Sequence, residues 1–271
     1  IDKPAGGTSH DVVARVRREL GPRPPGKHGP KVGHAGTLDP FATGLLLILV
    51  GRATRAQRFF MGLGKTYETV ARFGAVSTTG DRDGEITETG APIPDPLVLP
   101  TGTRTQRPPA YSAIKIGGQR AYKLARAGAE VEIPERTVVV DDFRELWRDG
   151  DRVALHIECS SGTYVRSLVA DLGDAYCEEL RRTAIGPFSV DEADPDRPLP
   201  LADALGRVMP VVRLEGEAAR RASHGMAVEA AAEGISLLVD DDGPIAIAEA
   251  RAGGRGHHDA QVKPIVGFRS L

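Results

Sequence analysis

Cysteine is scarce in this chain of 271 residues, which contains only Cys159 and Cys177. Two cysteines are too few for the disulfide framework of a small secreted protein or for a zinc cluster. We interpret both as buried small side chains rather than as nucleophiles. This cysteine usage is typical of a reducing cytoplasm, where we expect the protein to act.

Long apolar runs are missing as well. The longest, Leu45 to Val50, is far shorter than the roughly 20 residues that span a bilayer. No secretory signal opens the chain. We therefore expect no membrane partner.

Cofactor motifs are also absent from the sequence. The tripeptide Gly-Lys-Thr at 64–66 resembles the end of a phosphate-binding P-loop, but Phe59 stands where that loop requires its first glycine. His257 and His258 form a pair without a second ligand pair at zinc spacing. No Gly-x-Gly-x-x-Gly follows a predicted strand. We therefore expect neither a metal nor a cofactor.

An excess of one charge is absent too, because the net charge is −2. A nearly neutral chain argues against a nucleic-acid partner, but the charges are unevenly distributed. Acidic residues collect at 81–88, 141–151 and 240–242, whereas 15–31 and 103–129 are basic. The basic residues of 103–129 are Arg104, Arg107, Lys115, Arg120, Lys123 and Arg126. A polyanion could bind such a face, although solvated surface charge explains either segment equally well.

The periodicity of the chain predicts an α+β fold. An apolar face and the capping-box spacing of Thr8 and Asp11 predict a helix over 8–20. The other predicted elements of this part are strands at 45–50, 67–76, 137–147 and 152–159, and helices at about 119–127 and 164–180. Strands and helices mix without a strict βαβ repeat, which favours α+β over a doubly wound sheet.

Proline becomes frequent from Pro195 to Pro210, which indicates a linker. Beyond it, short strand patterns at 235–239, 245–248 and 264–268 predict a small β-rich module. We therefore expect a large domain at 1–210 and a second domain at 211–271.

The segment 32–54 is the best candidate for carrying chemistry. Pro40 holds the backbone of Asp39 extended, and Gly36 and Gly44 permit unusual backbone angles or the close approach of a ligand. The polar neighbours of the acid are His34, Thr37 and Thr43. Such an acid beside a buried strand is a candidate reactive carboxylate. On spacing alone, however, a turn aspartate that accepts backbone hydrogen bonds is favoured.

The stretch GHAGTLDPFATGLL at 33–46 resembles the catalytic motif of the TruB-type tRNA pseudouridine synthases. Further blocks resemble other motifs of that family in the family's order. They are IDKPAGGTSHDVVARV (1–16), KTYETVARFGAVSTTGD (65–81), RPPAYSAIKIGGQRAYKLARA (107–127), SGTYVRSLVADLG (161–173) and LRRTAIGPF (180–188). The chain is shorter than the usual family pattern near 97–101 and 173–180.

This resemblance implies an isomerase that detaches uracil from its ribose, rotates the base and rejoins it through C5. The implied substrate is uridine 55 in the T loop of tRNA, which must be flipped into a pocket. The implied architecture is the pseudouridine synthase fold, with a mixed, largely antiparallel central sheet flanked by helices. The small C-terminal β-rich domain would be PUA-like.

Residue roles are implied by the same resemblance. Asp39 is the catalytic aspartate, as nucleophile or as base at the sugar, and these alternatives stay open. Tyr67 stacks on the flipped uracil and could move a proton. Arg166 pairs with Asp39, and we expect the guanidinium to lower the pKa of that carboxyl. The implied substrate-binding residues are Lys3, Pro4, His34, Tyr164 and Leu180.

The basic segment takes the place of the family's RNA-gripping thumb, at about 103–135. Its candidate phosphate-binding residues are Arg107, Lys115, Arg120, Lys123 and Arg126. We expect the protein to act on the T arm of tRNA as a monomer without a guide RNA. A guide-dependent synthase and a non-catalytic RNA chaperone or RNA-binding module are the alternatives. The module would not require Asp39, Tyr67 and Arg166 together.

Overall fold

The computed structural model describes residues 1–21, 29–109, 115–116, 119–120, 133–251 and 261–269. Its α-helices are α1 (Ser9–Glu19), α2 (Gln57–Met61), α3 (Val165–Ala170), α4 (Leu201–Gly206) and α5 (Gly216–Ser223). Short 3-10 helices occupy Gly51–Ala56 and Val190–Glu192. Within the described ranges, no helix has the length and apolar character needed to cross a membrane.

The strands make up most of the regular structure. In the first half of the chain they are β1 (Asp2–Lys3), β2 (Val32–His34), β3 (Thr43–Leu45), β4 (Ile48–Val50), β5 (Lys65–Phe73), β6 (Ala75–Ser77), β7 (Ile86–Glu88), β8 (Gly102–Gln106), β9 (Lys115–Ile116) and β10 (Gln119–Arg120). In the second half they are β11 (Arg136–Asp149), β12 (Arg152–Cys159), β13 (Ala175–Ile185), β14 (Phe188–Ser189), β15 (Val211–Arg213), β16 (Val228–Glu229), β17 (Ile235–Asp240), β18 (Gly243–Arg251) and β19 (Gln261–Gly267).

The described chain packs into two compact units. The first comprises 1–15, 36–47 and 61–193, and the second comprises 16–35, 48–60 and 194–271. The division into domains at 1–210 and 211–271 stays a prediction.

The first unit is built on an eight-stranded sheet in the order β1-β3-β13-β5-β12-β11-β8, with β14 beside β13. The β3–β13 pair is parallel, and the other pairs of this sheet are antiparallel. Tyr67, Ala71 and Phe73 of β5 pack with Leu168 and Val169 of α3 in the core. The prediction of an α+β fold with a mixed, largely antiparallel sheet is confirmed.

Helix α1 begins as its sequence predicts. The Thr8 backbone N–H donates to Oδ2 of Asp11 at 2.8 Å, and the Asp11 backbone N–H donates to Oγ1 of Thr8 at 3.1 Å. These reciprocal bonds form a capping box, which satisfies backbone N–H groups that the first helical turn leaves unpaired.

The prediction of one strand at 45–50 is wrong. The run divides into β3, which pairs with β1 and β13, and β4, which pairs with β2. Between them the backbone of Leu46 bonds to Ile1 rather than continuing either strand. A uniformly apolar run has no periodicity that could indicate such a break.

The prediction of one helix over 164–180 is also wrong. Helix α3 ends at Ala170, and β13 begins at Ala175 between β3 and β5. Gly173 has φ of 144°, outside the helical region, so the helical pattern cannot continue through it. The backbone groups of 175–185 then bond to two neighbouring strands, a partner set that local periodicity does not reveal.

Predictions for two further segments need correction. Strand β8 occupies the start of the basic segment at 103–129, for which no strand was predicted. The residues 119–120, predicted to begin a helix, form strand β10. Lys123 and Arg126 lie outside the described residues. The predicted linker at 195–210 contains helix α4.

The second unit contains a five-stranded sheet in the order β15-β17-β18-β19-β16. Strands β17, β18 and β19 confirm the three strands predicted at the C-terminal end. Its core joins Ala219 and Ala222 of α5 to Leu238, Ile245 and Val262 of the sheet. The predicted β-rich module is therefore present.

Candidate active site

A cavity of about 250 Å³ in the first unit brings together the three predicted catalytic residues and two of the predicted substrate-binding residues. It lies among the loop at 36–39, strand β5, the start of α3 and strand β13. Its walls include the predicted residues Asp39, Tyr67, Tyr164, Arg166 and Leu180, together with Lys65 and Arg182. Leu180 reaches the cavity from a strand and not from the predicted helix.

The loop around Asp39 is held by hydrogen bonds on both sides of the acid. The Leu38 backbone N–H donates to Oγ of Ser9 at 2.9 Å. The carbonyl of Pro40 accepts from the backbone N–H of Gly6 at 2.9 Å and from Nζ of Lys3 at 3.2 Å. A backbone bonded at both neighbours presents the Asp39 side chain in one position, which is the preorganisation that catalysis needs.

Gly36 and Gly44 provide the backbone geometry predicted for them. Their φ angles are 101° and 106°, in the region that favours glycine. At Gly44, a Cβ would lie 2.2 Å from the carbonyl oxygen of Arg182, with which it pairs in the parallel β3–β13 ladder. Only glycine therefore allows β3 to approach β13 at this point.

Asp39 forms an ion pair with Arg166, as predicted. The guanidinium Nε lies 2.9 Å from Oδ2 of Asp39, and Nη1 lies 3.0 Å from Oδ2 of Asp81. Nη1 also donates to the Thr79 carbonyl at 2.6 Å. The Arg166 side chain is only 3% exposed, whereas that of Asp39 is 31% exposed. The buried guanidinium is therefore shared by two carboxylates, of which Asp39 is the one open to the cavity.

Asp81 is a site residue that sequence reasoning missed. It stands at the start of the acidic segment at 81–88, yet it is buried. Its Oδ1 accepts from Oγ1 of Thr79 at 2.6 Å and from the Asp83 backbone N–H at 3.1 Å. The signal that could have found it is its position as the last residue of the block at 65–81.

The direction of the Asp39 pKa differs from the prediction. Burial raises the pKa of the Asp39 carboxyl above its ordinary value, and the negative charge of Asp81 adds to that rise. Arg166 lowers the pKa, as expected, but does not cancel the effect of burial. The sequence places a cation beside the acid but does not show how far the fold removes the pair from water.

Tyr67 lies on β5 with its ring in the cavity wall, and it is buried. Burial raises the pKa of the Tyr67 hydroxyl, and the hydrogen bond with Arg182 opposes that rise. The phenol therefore keeps its proton at neutral pH and can act as a hydrogen-bond donor. Packing in the core accounts for the burial of Tyr67, and its place in the wall of the cavity that Asp39 also lines fits the predicted role.

Arg182 is the second residue that sequence reasoning missed. Its side chain is 1% exposed, and its guanidinium donates to three carbonyls, those of Leu45 at 2.8 Å, Gly36 at 3.1 Å and Thr37 at 3.3 Å. It thus connects β13 to the loop that precedes Asp39 and to the hydroxyl of Tyr67. Its only sequence signal was its place in the block LRRTAIGPF.

Two buried lysines complete the surroundings of the cavity. Lys3, predicted as a substrate-binding residue, is buried and donates to the carbonyls of Pro4 and Gly7 at 2.8 Å each. Lys65, which sequence reasoning missed, donates to the Met61 carbonyl at 2.7 Å. Burial lowers the pKa of both amines, that of Lys65 to about 8, with nearby Arg182 contributing to the shift.

Replacing Lys65 by methionine should remove a pH-dependent part of the stability. The pKa of Lys65 falls from 10.5 to about 8 on folding, so between these values the unfolded chain binds more protons and stability rises with pH. The shift corresponds to roughly 3 kcal/mol. Denaturant titrations from pH 8 to 10.5 should show the free energy of unfolding of wild type rising relative to Lys65→Met.

The exposed Lys31→Met is the matched control for this measurement, since an exposed side chain changes its surroundings little on folding. Parallel pH dependences for wild type and Lys65→Met would contradict the prediction.

Pro4 and Arg107 are not among the described residues that line the cavity. Pro4 is exposed, and its carbonyl accepts from Lys3. His34 lies in β2, within the second unit, and its carbonyl accepts from Nε2 of Gln57 at 2.6 Å. Arg107 is exposed and pairs with Glu135 at 3.1 Å. Lys115 and Arg120 lie in the β9–β10 pair.

Both cysteines are buried free thiols, as expected. Burial raises the pKa of the Cys159 thiol to about 11 and that of the Cys177 thiol to about 12. Neither forms a thiolate at neutral pH, which argues against a nucleophilic cysteine.

Comparison with known sequences gives a consistent result. A family model described as "TruB family pseudouridylate synthase (N terminal domain)" matches residues 23–165. The tRNA pseudouridine synthase B of Thermobifida fusca is 42% identical over 282 residues, covering 93% of this chain and 94% of the relative. The protein of that name from Corynebacterium aurimucosum is 41% identical, covering 90% of this chain and 88% of the relative.

Solved structures resemble the chain over nearly its whole length. A chain of a Cbf5-Nop10-Gar1 complex is 25% identical with a TM-score of 0.68, covering 99% of this chain and 83% of that one. A chain of an H/ACA RNP bound to a substrate RNA containing 2'-deoxyuridine is 22% identical with a TM-score of 0.69, covering 99% and 84%. These likenesses confirm the predicted fold, and the C-terminal sheet fits a PUA-like domain.

Proposed function

This chain belongs to the TruB family of pseudouridylate synthases, and from that membership we propose that it isomerises uridine 55 in the T loop of tRNA to pseudouridine. The observation that carries the proposal is the pairing of Asp39 with buried Arg166 at a cavity that also presents Tyr67. In this proposal the substrate is tRNA, and the protein needs no guide RNA. It acts as a monomer in the cytoplasm.

The reaction rearranges bonds without a redox partner. The bond between C1′ and N1 of the uridine breaks, the uracil turns, and a bond between C1′ and C5 forms. C5 loses its proton and N1 gains one, so atoms and electrons balance. Flipping the nucleotide out of the T loop brings the base into the cavity.

Asp39 is the group that acts on the sugar, as nucleophile at C1′ or as base. Both roles require an ionised carboxylate. Arg166 supplies the opposite charge that favours this form, although burial disfavours it. Asp81 holds the second nitrogen of the guanidinium, so that Nε stays directed at Asp39.

The cavity walls fit a flat, neutral base. Tyr67 offers an aromatic face for stacking and a protonated hydroxyl for proton transfer at the base. Tyr164 and Leu180 form the remaining contact surface of the pocket. Lys3 acts indirectly, by holding the Pro40 carbonyl next to Asp39.

RNA binding is assigned to residues beyond the cavity. The basic thumb at about 103–135 contacts phosphates, and His34 fills the gap that the flipped nucleotide leaves in the RNA stack.

The catalytic domain spans 1–210 and the PUA-like domain spans 211–271. Identities of 41–42% to relatives named tRNA pseudouridine synthase B, against 25% to a chain of a Cbf5-Nop10-Gar1 complex, favour action without a guide.

The test is to incubate the protein alone with an unmodified tRNA transcript and to map pseudouridine at single-nucleotide resolution. We expect conversion at uridine 55 and at no other uridine of the T arm. Conversion that requires a guide RNA and accessory proteins would replace the proposal with the guide-dependent alternative. Binding of the transcript without conversion would support an RNA chaperone or binding module instead.

A further inference from the structure

The first turn of α3, which carries Arg166, is tied to the end of strand β8. Nε2 of Gln106 donates to the Tyr164 carbonyl at 3.0 Å, and the Tyr164 backbone N–H donates to Oε1 of Gln106 at 2.8 Å. Oγ of Ser167 donates to the carbonyl of Arg107 at 3.2 Å. Gln106, the last residue of β8, and Arg107, the residue after it, therefore hold the helix on both sides of Arg166.

Gln106 is unusual because both the nitrogen and the oxygen of its side-chain amide bond to the backbone of one residue, Tyr164. The residue is only 3% exposed, and buried amides of this kind need both a donor and an acceptor partner. Tyr164 is the N-cap of α3, with φ of −103° and ψ of 107°, and its own side chain makes no capping bond. The start of the helix is therefore fixed from outside by Gln106 rather than by a local cap.

The Tyr164 ring is held from the same place. Arg136 pairs with Gln106 in the β8–β11 register, so the two side chains lie on one face of the sheet. The Arg136 guanidinium lies 5.5 Å from the centroid of the Tyr164 ring, a cation–π distance. Gln106 thus fixes the main chain and Arg136 the ring of the same pocket residue.

We propose that Gln106 is a positioning residue for the isomerisation, acting through the backbone of Tyr164 on the pocket wall and on Arg166. The inference rests on the proposed function. Arg166 lies two residues after Tyr164, so displacement of the helix start moves its guanidinium relative to Asp39. Misplacement by about 1 Å can cost about 100-fold in rate, whereas a purely structural role would affect stability alone.

Gln106→Glu provides a test with a pH signature. In its protonated form the introduced carboxylic acid, like the amide, can accept from the Tyr164 N–H and donate to the Tyr164 carbonyl. The ionised form has no donor and faces that carbonyl with a negative charge. The single-turnover rate of the variant divided by that of wild type should therefore be near one at low pH. It should fall by about ten-fold as pH rises, with tRNA affinity unchanged.

Two further variants complete the experiment. Gln106→Met removes both hydrogen bonds at similar volume and should be slow, by about ten-fold, at every pH. The exposed Thr137→Val, on the neighbouring strand β11, should behave as wild type. Equal pH profiles for wild type and Gln106→Glu, or a wild-type rate for Gln106→Met, would overturn the inference. So would a Gln106→Glu protein that is unfolded at every pH, since the protonated acid should replace the amide.

Wild type distinguishes failure of the positioning role from failure of the proposed function. If it forms pseudouridine and the Gln106 variants keep its rate, the positioning role fails and the proposed function stands. If wild type forms none at any pH, the proposed function fails and the positioning role fails with it.

Discussion

Asp39→Asn should lower the rate of pseudouridine formation by more than about 10³-fold. Asparagine keeps the size of the side chain but cannot act as nucleophile or as base, and both proposed roles require the carboxylate. The neighbouring backbone bonds of Leu38 and Pro40 do not involve the Asp39 side chain, so the loop should keep its shape. The rate is measured by single-turnover mapping on an unmodified transcript.

Binding of tRNA should survive in the same variant, because the phosphate contacts are assigned to the basic segment and not to the cavity. A filter-binding or fluorescence titration checks this. Asp83→Asn is the matched control, because it makes the same substitution at an exposed acid. An Asp39→Asn protein that modifies tRNA at the wild-type rate would refute the catalytic assignment.

Arg166→Met should reduce both stability and activity. The guanidinium lies between two carboxylates, and its removal leaves Asp39 and Asp81 facing each other without a cation. Breaking a buried pair in this way costs about 3–5 kcal/mol. We expect denaturant titration to show a loss of about 3 kcal/mol, since Asp39 is partly exposed. The rate should fall by more than about 100-fold.

Two variants separate charge from packing in that result. Arg181→Met removes an arginine whose pair with Asp2, at 2.7 Å, is exposed, and it should cost less than about 1 kcal/mol. The double variant Arg166→Met/Asp81→Asn should recover part of the stability but none of the activity. An Arg166→Met protein as stable as wild type would show that Arg166 does not compensate the negative charges of Asp39 and Asp81.

The site places a partly exposed carboxylate, that of Asp39, among buried cationic side chains. Lys3 and Arg182 are buried, and each donates to carbonyls of the loop that carries Asp39. Charged donors make stronger hydrogen bonds than neutral ones, so the loop is fixed before substrate binds. Such preorganisation avoids the cost of rearranging dipoles during reaction. Glycine is needed at 36 because φ is 101° there, and at 44 because a Cβ would lie 2.2 Å from the Arg182 carbonyl oxygen.

Elements whose signal is local could be predicted from the sequence. The capping box of α1 depends on two residues three positions apart, and the buried face of β5 depends on strict alternation. Strand β12 follows from a similar alternation, since Val153, Leu155, Ile157 and Cys159 are all buried. Strand β13 could not be predicted, because the apolar stripe that defines α3 continues to Leu172 and gives no sign of a central strand beyond it.

Site residues also divide into those that the sequence indicates by a motif and those that it does not. Asp39, Tyr67 and Arg166 were found because they stand in motifs that resemble a family. Asp81, Arg182, Lys65 and Gln106 are polar residues whose importance comes from burial and from partners distant in sequence. Arg182, for example, bonds to carbonyls about 140 residues away along the chain. No local pattern distinguishes such a residue from an exposed charge.

By itself, the sequence determined the fold class, the family resemblance and the identity of the acid in the loop at 33–40. Those conclusions depend on local periodicity and on motif order, which are properties of the chain alone. Only the tertiary structure decided that Asp39 shares Arg166 with Asp81 and that burial raises the pKa of its carboxyl. Distance, burial and charge around a side chain are set by segments that meet only when the chain folds.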